Sequence, residues 1–140
     1  MELKIQYNCL NINWDDVCEI LKKAGMSYFE GKVHEKAFKN SHTTIFVFDN
    51  NKLIGFGRAI SDGTYQAAIY DVAVLPEYQG KNVGRTIVNG ILNRIPQCNF
   101  ILYASPGKEA FYEKLSFRKM KTGMALFCNT EKMQTKGFIE

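Results

Sequence analysis

The run VAVLPEYQGKNVGRTIV, residues 72–88, begins as an apolar β-branched stretch, breaks at Pro76 and resumes from Val83 with helical spacing. Between the two halves lies QGKNVGR, residues 79–85, with small residues at Gly80 and Gly84, cations at Lys81 and Arg85 and an asparagine in the middle. A loop that carries a strand into a helix gathers unpaired N–H groups beside the positive end of the helix dipole. That is an anion site, and phosphate is its usual occupant. Gly80 and Gly84 let the backbone approach a diphosphate closely, while Lys81, Arg85 and the Thr86 hydroxyl supply charge and a hydrogen bond. The same residues also fit a plain glycine-assisted left-handed turn, and the loop alone leaves both readings open. Its spacing excludes two familiar phosphate loops, G-x-x-x-x-G-K-[ST] and G-x-G-x-x-G, and with them a nucleotide hydrolase or a dinucleotide oxidoreductase.

Working outward, Val83, Ile87, Ile91, Leu92 and Ile95 keep the helical period until Pro96, and NFILYAS then reads as a strand. Strand, helix and strand in that order imply a crossover and a parallel pair. Upstream, TTIFVFD, KLIGFGRAIS and YQAAIYDVAVL read as three strands of an antiparallel meander, joined by an Asn-Asn turn and by DGT. Before them come a first strand in ELKIQYN, a helix WDDVCEILKKAG capped by Asn13 and closed by Gly25, and a second helix within GKVHEKAFKN. Downstream, a short helix around GKEAFYEKL precedes two strands in FRKMK and MALFCN, and the tail NTEKMQTKGFIE looks loosely specified. The expected order is β-α-α-β-β-β-α-β-α-β-β, an α+β or mixed α/β sheet.

A chain of 140 residues with 46% hydrophobic and 23% charged residues is expected to fold as one domain, 1–140. No apolar run approaches bilayer length and no signal-peptide pattern opens the chain, so a cytoplasmic protein without a membrane partner is expected. Cys9, Cys18, Cys98 and Cys128 lack paired metal or redox spacing and read as buried free thiols; no metal is expected. His34 and His42 are expected to be solvent-exposed. The net charge of +4 is scattered and argues little for nucleic acid; an anionic small ligand accounts for it equally well.

Two further residues attract attention. Tyr112, in FYEKLSF, is either an amphipathic core tyrosine or a phenol that stays protonated at neutral pH and can donate to a departing anion. Its neighbours Phe111, Leu115 and Phe117 read as core. Asp71, inside the apolar run AIYDVAV, either faces a cleft or has a specific partner, because an unpaired buried carboxylate is costly.

Together, V-x-P-E-Y-Q-G-K-x-x-G, a helix, a strand and then FYEKLSF resemble the GNAT superfamily of acetyl-CoA-dependent N-acyltransferases, from about Lys52 to Phe127. The resemblance implies a GNAT fold: a mostly antiparallel sheet of about seven strands with a splayed parallel pair, flanked by about four helices. It implies that Gln79, Gly80, Lys81, Asn82, Val83, Gly84, Arg85 and Thr86 hold the diphosphate of acetyl-CoA, with Asn82 at the family's middle glycine. Val72, Ala73 and Val74 match the strand whose backbone pairs with the pantetheine arm. Ser105 stands where the family often has an asparagine against that arm, Phe111 accompanies the cofactor-side Tyr112, and Ser116 replaces the usual glycine of the closing pair. Tyr112 matches the general acid toward the CoA sulfur, and Asp71 is the candidate base, or alternatively orients the amine or a water.

Within the family, GRAISD and DVAVLPEYQG resemble plant-type serotonin (arylalkylamine) acetyltransferases, and YDVAV resembles glucosamine-phosphate acetyltransferases. Trp14, Tyr28, Phe29, Phe38, Tyr65 and Tyr70 are candidates to line an amine pocket. The function so implied is acetyl transfer to a small primary amine by a monomer or homodimer. The rivals are a protein or peptide N-acetyltransferase, a CoA-binding module without turnover, and a nucleic-acid-binding domain.

Overall fold

Asn13 closes its own loop and starts the first helix, its side chain accepting from the N–H groups of Asp15 and Asp16. That helix, α1 (Trp14–Lys23), ends where Gly25 takes a left-handed φ of 76°, as the sequence predicts. In the computed structural model, which describes residues 1–140, the chain divides into two compact units, Met1–Leu102 and Tyr103–Glu140.

The first unit holds one sheet. Strands β1 (Leu3–Gln6), β2 (Thr43–Asp49), β3 (Lys52–Ser61), β4 (Gln66–Val74) and β5 (Asn99–Ile101) lie in sequence order. The first four pair antiparallel and β5 pairs parallel to β4, as the crossover requires. The β2–β3 turn is carried by Asn50 and Asn51 at φ 48° and 70°, the paired left-handed conformations of a tight hairpin.

Helices α1 and α2 (Gly31–Lys39) cover one face of the sheet, and α3 (Val83–Arg94) covers the other. On the α1–α2 side, Trp14, Phe38, Phe46 and Phe56 form an aromatic cluster with ring centroids 5.5–6.4 Å apart. Phe38, Phe46 and Phe56 are fully buried, each contributing about 1.5–3 kcal/mol of burial. On the other side, Val83, Ile87, Val88 and Ile91 of α3 are buried. Gly57 of β3 leaves room for them: a Cβ there would lie 2.8 Å from Ile87 and 3.3 Å from Ile91 and Val72.

The second unit contains α4 (Glu109–Glu113) and α5 (Thr130–Thr135) and no strand. The expected strands in FRKMK and MALFCN are absent, so the sheet has five strands rather than about seven, and the helices number five rather than about four. Met124 and Leu126 are each 97% exposed; an apolar alternation without a neighbouring ladder leaves its backbone and side chains in water. The tail is also more ordered than its composition implies, because the Asn129 side chain accepts from Lys132 N–H and caps α5.

Candidate functional site

After Val74 the chain turns through Pro76–Tyr78, a single 3-10 turn, into the loop 79–82 and then α3. Gln79 ties the loop to the end of β4: its side-chain amide donates to Val74 C=O at 3.0 Å. Gln79 N–H donates to Pro76 C=O, and the next backbone donor with an acceptor is Thr86, on Asn82 C=O. The consecutive N–H groups from Gly80 to Arg85 therefore have no acceptor within the chain. Gly80 and Asn82 both take left-handed φ, 76° and 67°, so asparagine is accommodated at the middle glycine position. Val83 is buried under α3 and Gly84 is half-buried, while Lys81 and Arg85 are exposed. The Thr86 hydroxyl donates back to Asn82 C=O at 3.0 Å, as does its own N–H, so the hydroxyl expected to donate to an anion is already committed within the chain.

Tyr78 stiffens the approach to the loop. Its hydroxyl donates to Asp49 at 2.7 Å, holding that carboxyl below its usual range and the phenol above its own. The ammonium groups of Lys52 and Lys81 lie 5.6 and 5.7 Å from the Tyr78 ring. None of the Asp49, Lys52 and Tyr78 contacts is visible from the loop motif alone.

Strand β4 outruns its parallel partner. Pairing with β5 stops at Ala68 opposite Ile101, so no strand pairs with Ile69–Val74 on that side, the segment containing Val72, Ala73 and Val74. On its other side β4 carries a bulge: Tyr70 faces Arg58 and Ala73 faces Phe56, leaving Asp71 and Val72 together opposite Gly57. Asp71 is left-handed at φ 56°, a conformation that costs an L-residue about 1–2 kcal/mol. Its partner is Arg58, whose Nε donates to Asp71 Oδ2 at 2.7 Å. The other oxygen, Oδ1, makes no hydrogen bond within the chain. Arg58 Nη1 also donates to Ser41 Oγ at 3.3 Å, and its guanidinium lies 5.7 Å from the Phe38 ring and 5.4 Å from Tyr70.

In the second unit, Tyr112 stands on α4 against Phe111 and Phe117, with centroids 4.9 and 5.8 Å away. Burial alone pushes its phenol above the ordinary tyrosine value, so the hydroxyl is protonated throughout the neutral range, and it makes no hydrogen bond within the chain. The turn after α4 fixes this geometry. Phe117 N–H closes on Tyr112 C=O and Ser116 N–H on Glu113 C=O, with Ser116 left-handed at φ 74° in the place of the family's glycine. Ser105 opens the turn before α4, its C=O accepting from Lys108 N–H.

The first unit thus carries backbone donors without acceptors at the head of α3 and an open strand edge upstream, and the second carries a protonated phenol on a short helix. Residues 8–117 match the Acetyltransferase (GNAT) family. The chain belongs to that family of acetyltransferase enzymes. It is 31% identical over 121 residues to the uncharacterized N-acetyltransferase ycf52 of Pyropia yezoensis, covering 81% of this chain and 70% of the other. It is 38% identical over 76 residues to GCN5-related N-acetyltransferase 2, chloroplastic, of Arabidopsis thaliana, covering 52% of this chain and 30% of the other. Among solved structures, a probable acetyltransferase from methicillin-resistant Staphylococcus aureus superposes with a TM-score of 0.78 at 29% identity, covering 90% and 99% of the two chains.

The acetyltransferase departs from several expectations away from these parts. His34 is 4% exposed rather than solvent-facing. It sits on the buried face of α2 with Gly31 and Phe38, and its Nε2 accepts from Phe29 N–H at 2.9 Å, pinning the α1–α2 loop. Burial lowers its pKa, partly opposed by Asp71. His42 is exposed as expected. All four cysteines are free, yet only Cys98 is buried; Cys9 and Cys18 are half-buried and Cys128 is exposed. Of the aromatic candidates, Phe38 is core, Trp14 packs on it, Tyr70 borders Arg58, and Tyr28, Phe29 and Tyr65 are exposed. Two surface concavities of about 370 and 380 Å³ lie along α2 and at the β1–α1 turn, and neither is lined by the 79–86 loop or Asp71. No group of three or more His, Cys, Asp or Glu side chains is placed to hold a metal, and no helix is long and apolar enough to cross a membrane.

Proposed function

We propose that this acetyltransferase moves the acetyl group of acetyl-CoA directly to the primary amine of a small molecule, with an arylalkylamine as the first class to try. The observation that carries the reading is the unbroken set of acceptor-free N–H groups from Gly80 to Arg85 at the head of α3. Such a set fits a diphosphate, and its cost in a dry or half-dry site is relieved only by an anion or water. When bound, acetyl-CoA supplies the activated thioester. The loop 79–86 holds its diphosphate, with Lys81 and Arg85 adding charge, while the open edge of Val72–Val74 pairs with the pantetheine amides as an added strand. Ser105 and Phe111 are assigned to that same arm.

Chemically, a neutral amine attacks the thioester carbonyl and forms the new C–N bond. A backbone N–H of β4 stabilises the oxyanion. Cleavage of the C–S bond leaves a thiolate, which takes the Tyr112 proton. The attacking nitrogen gives up its extra proton to Asp71, through the oxygen that Arg58 leaves free, or to a water that Asp71 orients, and the Tyr112 phenolate regains a proton from solvent. The family match at 8–117 runs from the first unit into the second, which supports the reading of 1–140 as one catalytic domain.

The test is a thiol-release assay with acetyl-CoA and a panel of tryptamine, serotonin, polyamines, amino sugars and a short basic peptide. Release with a small amine supports the proposal. Release with the peptide alone moves the acceptor to a protein. No release beside measurable CoA binding makes the chain a binding module.

A further inference from the structure

Strand β4 is least supported where the acyl chemistry needs it most. Beyond Ala68 it has no strand partner on the β5 side, and opposite Gly57 it is bulged on the other side. The bulge residue is an aspartate in left-handed conformation rather than a glycine. The buried Ile69, Ala73 and Val74 fix the register on either side of the bulge, so the freedom that remains is local, in the rotation of the peptide groups at Asp71 and Val72.

Selection comes from three side chains on three segments. Asp71 Oδ2 accepts from Arg58 Nε at 2.7 Å, and Arg58 Nη1 donates to Ser41 Oγ at 3.3 Å. Ser41 is itself fixed, its hydroxyl donating to Ala37 C=O of α2 at 2.7 Å. The guanidinium lies by the rings of Phe38 and Tyr70, and Phe38 is buried in the aromatic cluster. The two ionic side chains are 15% and 26% exposed, so the pair is screened far less than a surface ion pair. A chain of contacts thus runs from the end of α2 through Ser41 and Arg58 to the bulge.

We infer that Ser41, Arg58 and Asp71 form a clamp that fixes the β4 bulge, and that Arg58 is a positioning residue for acetyl transfer. The inference rests on the acetyl-transfer reading above. The clamp sets the direction of the N–H groups at Val72–Val74, which are assigned to the acyl carbonyl and the pantetheine arm. It also makes Asp71 primarily the far jaw of the clamp and only secondarily a group that faces the amine. A misplacement of about 1 Å in such a site costs on the order of 100-fold in rate.

The test uses the full chain and the variants Arg58→Met, Asp71→Ala, their double, Asp71→Asn and Asp71→Gly. The clamp predicts that Arg58→Met and Asp71→Ala each lower kcat by about 10- to 100-fold. The double variant is then no slower than the slower single, because both remove one interaction. CoA affinity, measured by calorimetry, falls by a smaller factor than kcat, since the 80–85 cradle is untouched and only the pairing of the pantetheine arm is disturbed. Asp71→Asn tolerates the left-handed backbone and still accepts from Nε, so it recovers more rate than Asp71→Gly, which keeps only the backbone, and Asp71→Ala is slowest. Arg58→Met at the wild-type kcat, with Asp71→Asn as slow as Asp71→Ala, overturns the clamp and makes Asp71 a proton acceptor. Amide hydrogen exchange separates the clamp from the proposed activity. Arg58→Met should raise exchange at Asp71 and Val72 by at least about tenfold, and unchanged exchange overturns the clamp even in an active enzyme. A wild-type chain that transfers no acetyl group defeats the functional reading, and the exchange result still decides the clamp.

Discussion

From Gly80 to Arg85 the chain presents N–H groups and asks of its side chains only that two of them tolerate positive φ. At Asp71, by contrast, the backbone conformation is held by side chains from α2's end, from β3 and from β4 itself. The cradle is made of backbone, so its chemistry survives most substitutions that leave the turn intact. The bulge is made of side chains, so a single replacement disturbs it. In the proposed chemistry Tyr112 belongs with the second kind: its hydroxyl has no backbone substitute.

The largest effect expected is therefore at Tyr112. Tyr112→Phe keeps the ring against Phe111 and Phe117 and removes only the hydroxyl. It should lower kcat by about 100-fold or more, the ordinary scale of a positioned general acid. CoA affinity should stay constant. Because burial keeps the wild-type phenol protonated, no loss of activity from its ionisation is expected until pH rises above the ordinary tyrosine range. Stopped-flow thiol release with saturating amine checks this, and an unchanged rate would remove Tyr112 from the chemistry.

A backbone-made site should fail only when the backbone is changed. Asn82→Val places a β-branched residue at φ 67°, which costs about 1–2 kcal/mol and opposes the turn. CoA should then bind about tenfold more weakly, a shift of roughly 1.4 kcal/mol. Calorimetry reads it directly, and wild-type affinity in the valine variant would mean that the loop's conformation does not matter to the ligand.

What was legible in the sequence follows the same division. The Asn13 cap, the Asn50–Asn51 turn, the α3 period and the parallel crossover are local or follow from connection rules, and all are present. Asn82 was also readable, because the left-handed preference of asparagine is a property of the residue itself. The strands expected in FRKMK and MALFCN were not, since alternation states a preference for a ladder without providing one. Arg58 went unassigned for a related reason: its partner is remote in sequence. Its signal was nevertheless present in the hairpin, where Ser61 opposite Ala67 brings Arg58 opposite Tyr70, next to the one acid in the strand. His34, expected to be exposed, lies four residues before Phe38 on the buried face they share, a spacing that the sequence itself displays.

His34 yields a pH effect smaller than the catalytic ones. Burial lowers its pKa from the ordinary 6.5, so around and below that value the unfolded chain binds the proton more readily than the folded one. Its contribution to stability is then full above about pH 6.5 and is lost as pH falls toward the folded value, with a slope of at most about 1.4 kcal/mol per pH unit. His34→Gln can still accept from Phe29 N–H and does not titrate. Urea unfolding from about pH 7.5 down to about pH 5.5 should show wild type losing up to about 1 kcal/mol more than the variant. Parallel curves would mean that folding leaves the histidine's affinity for the proton unchanged.

The smallest effect is the sharpest test of a backbone-made cradle. Asn82→Gly keeps the N–H, removes an exposed side chain that caps nothing, and suits φ 67° at least as well. Two small terms oppose each other: glycine relieves residual left-handed strain in the folded loop, and it adds freedom to the unbound loop that CoA must then remove. Each is a few tenths of a kcal/mol to about 1 kcal/mol, so CoA affinity should change by less than about twofold in either direction. A tenfold gain would make Asn82 a strained relic in a weakened site. A tenfold loss would give the asparagine side chain a direct contact with the ligand. Either outcome would end the distinction between a cradle of N–H groups and a clamp of side chains.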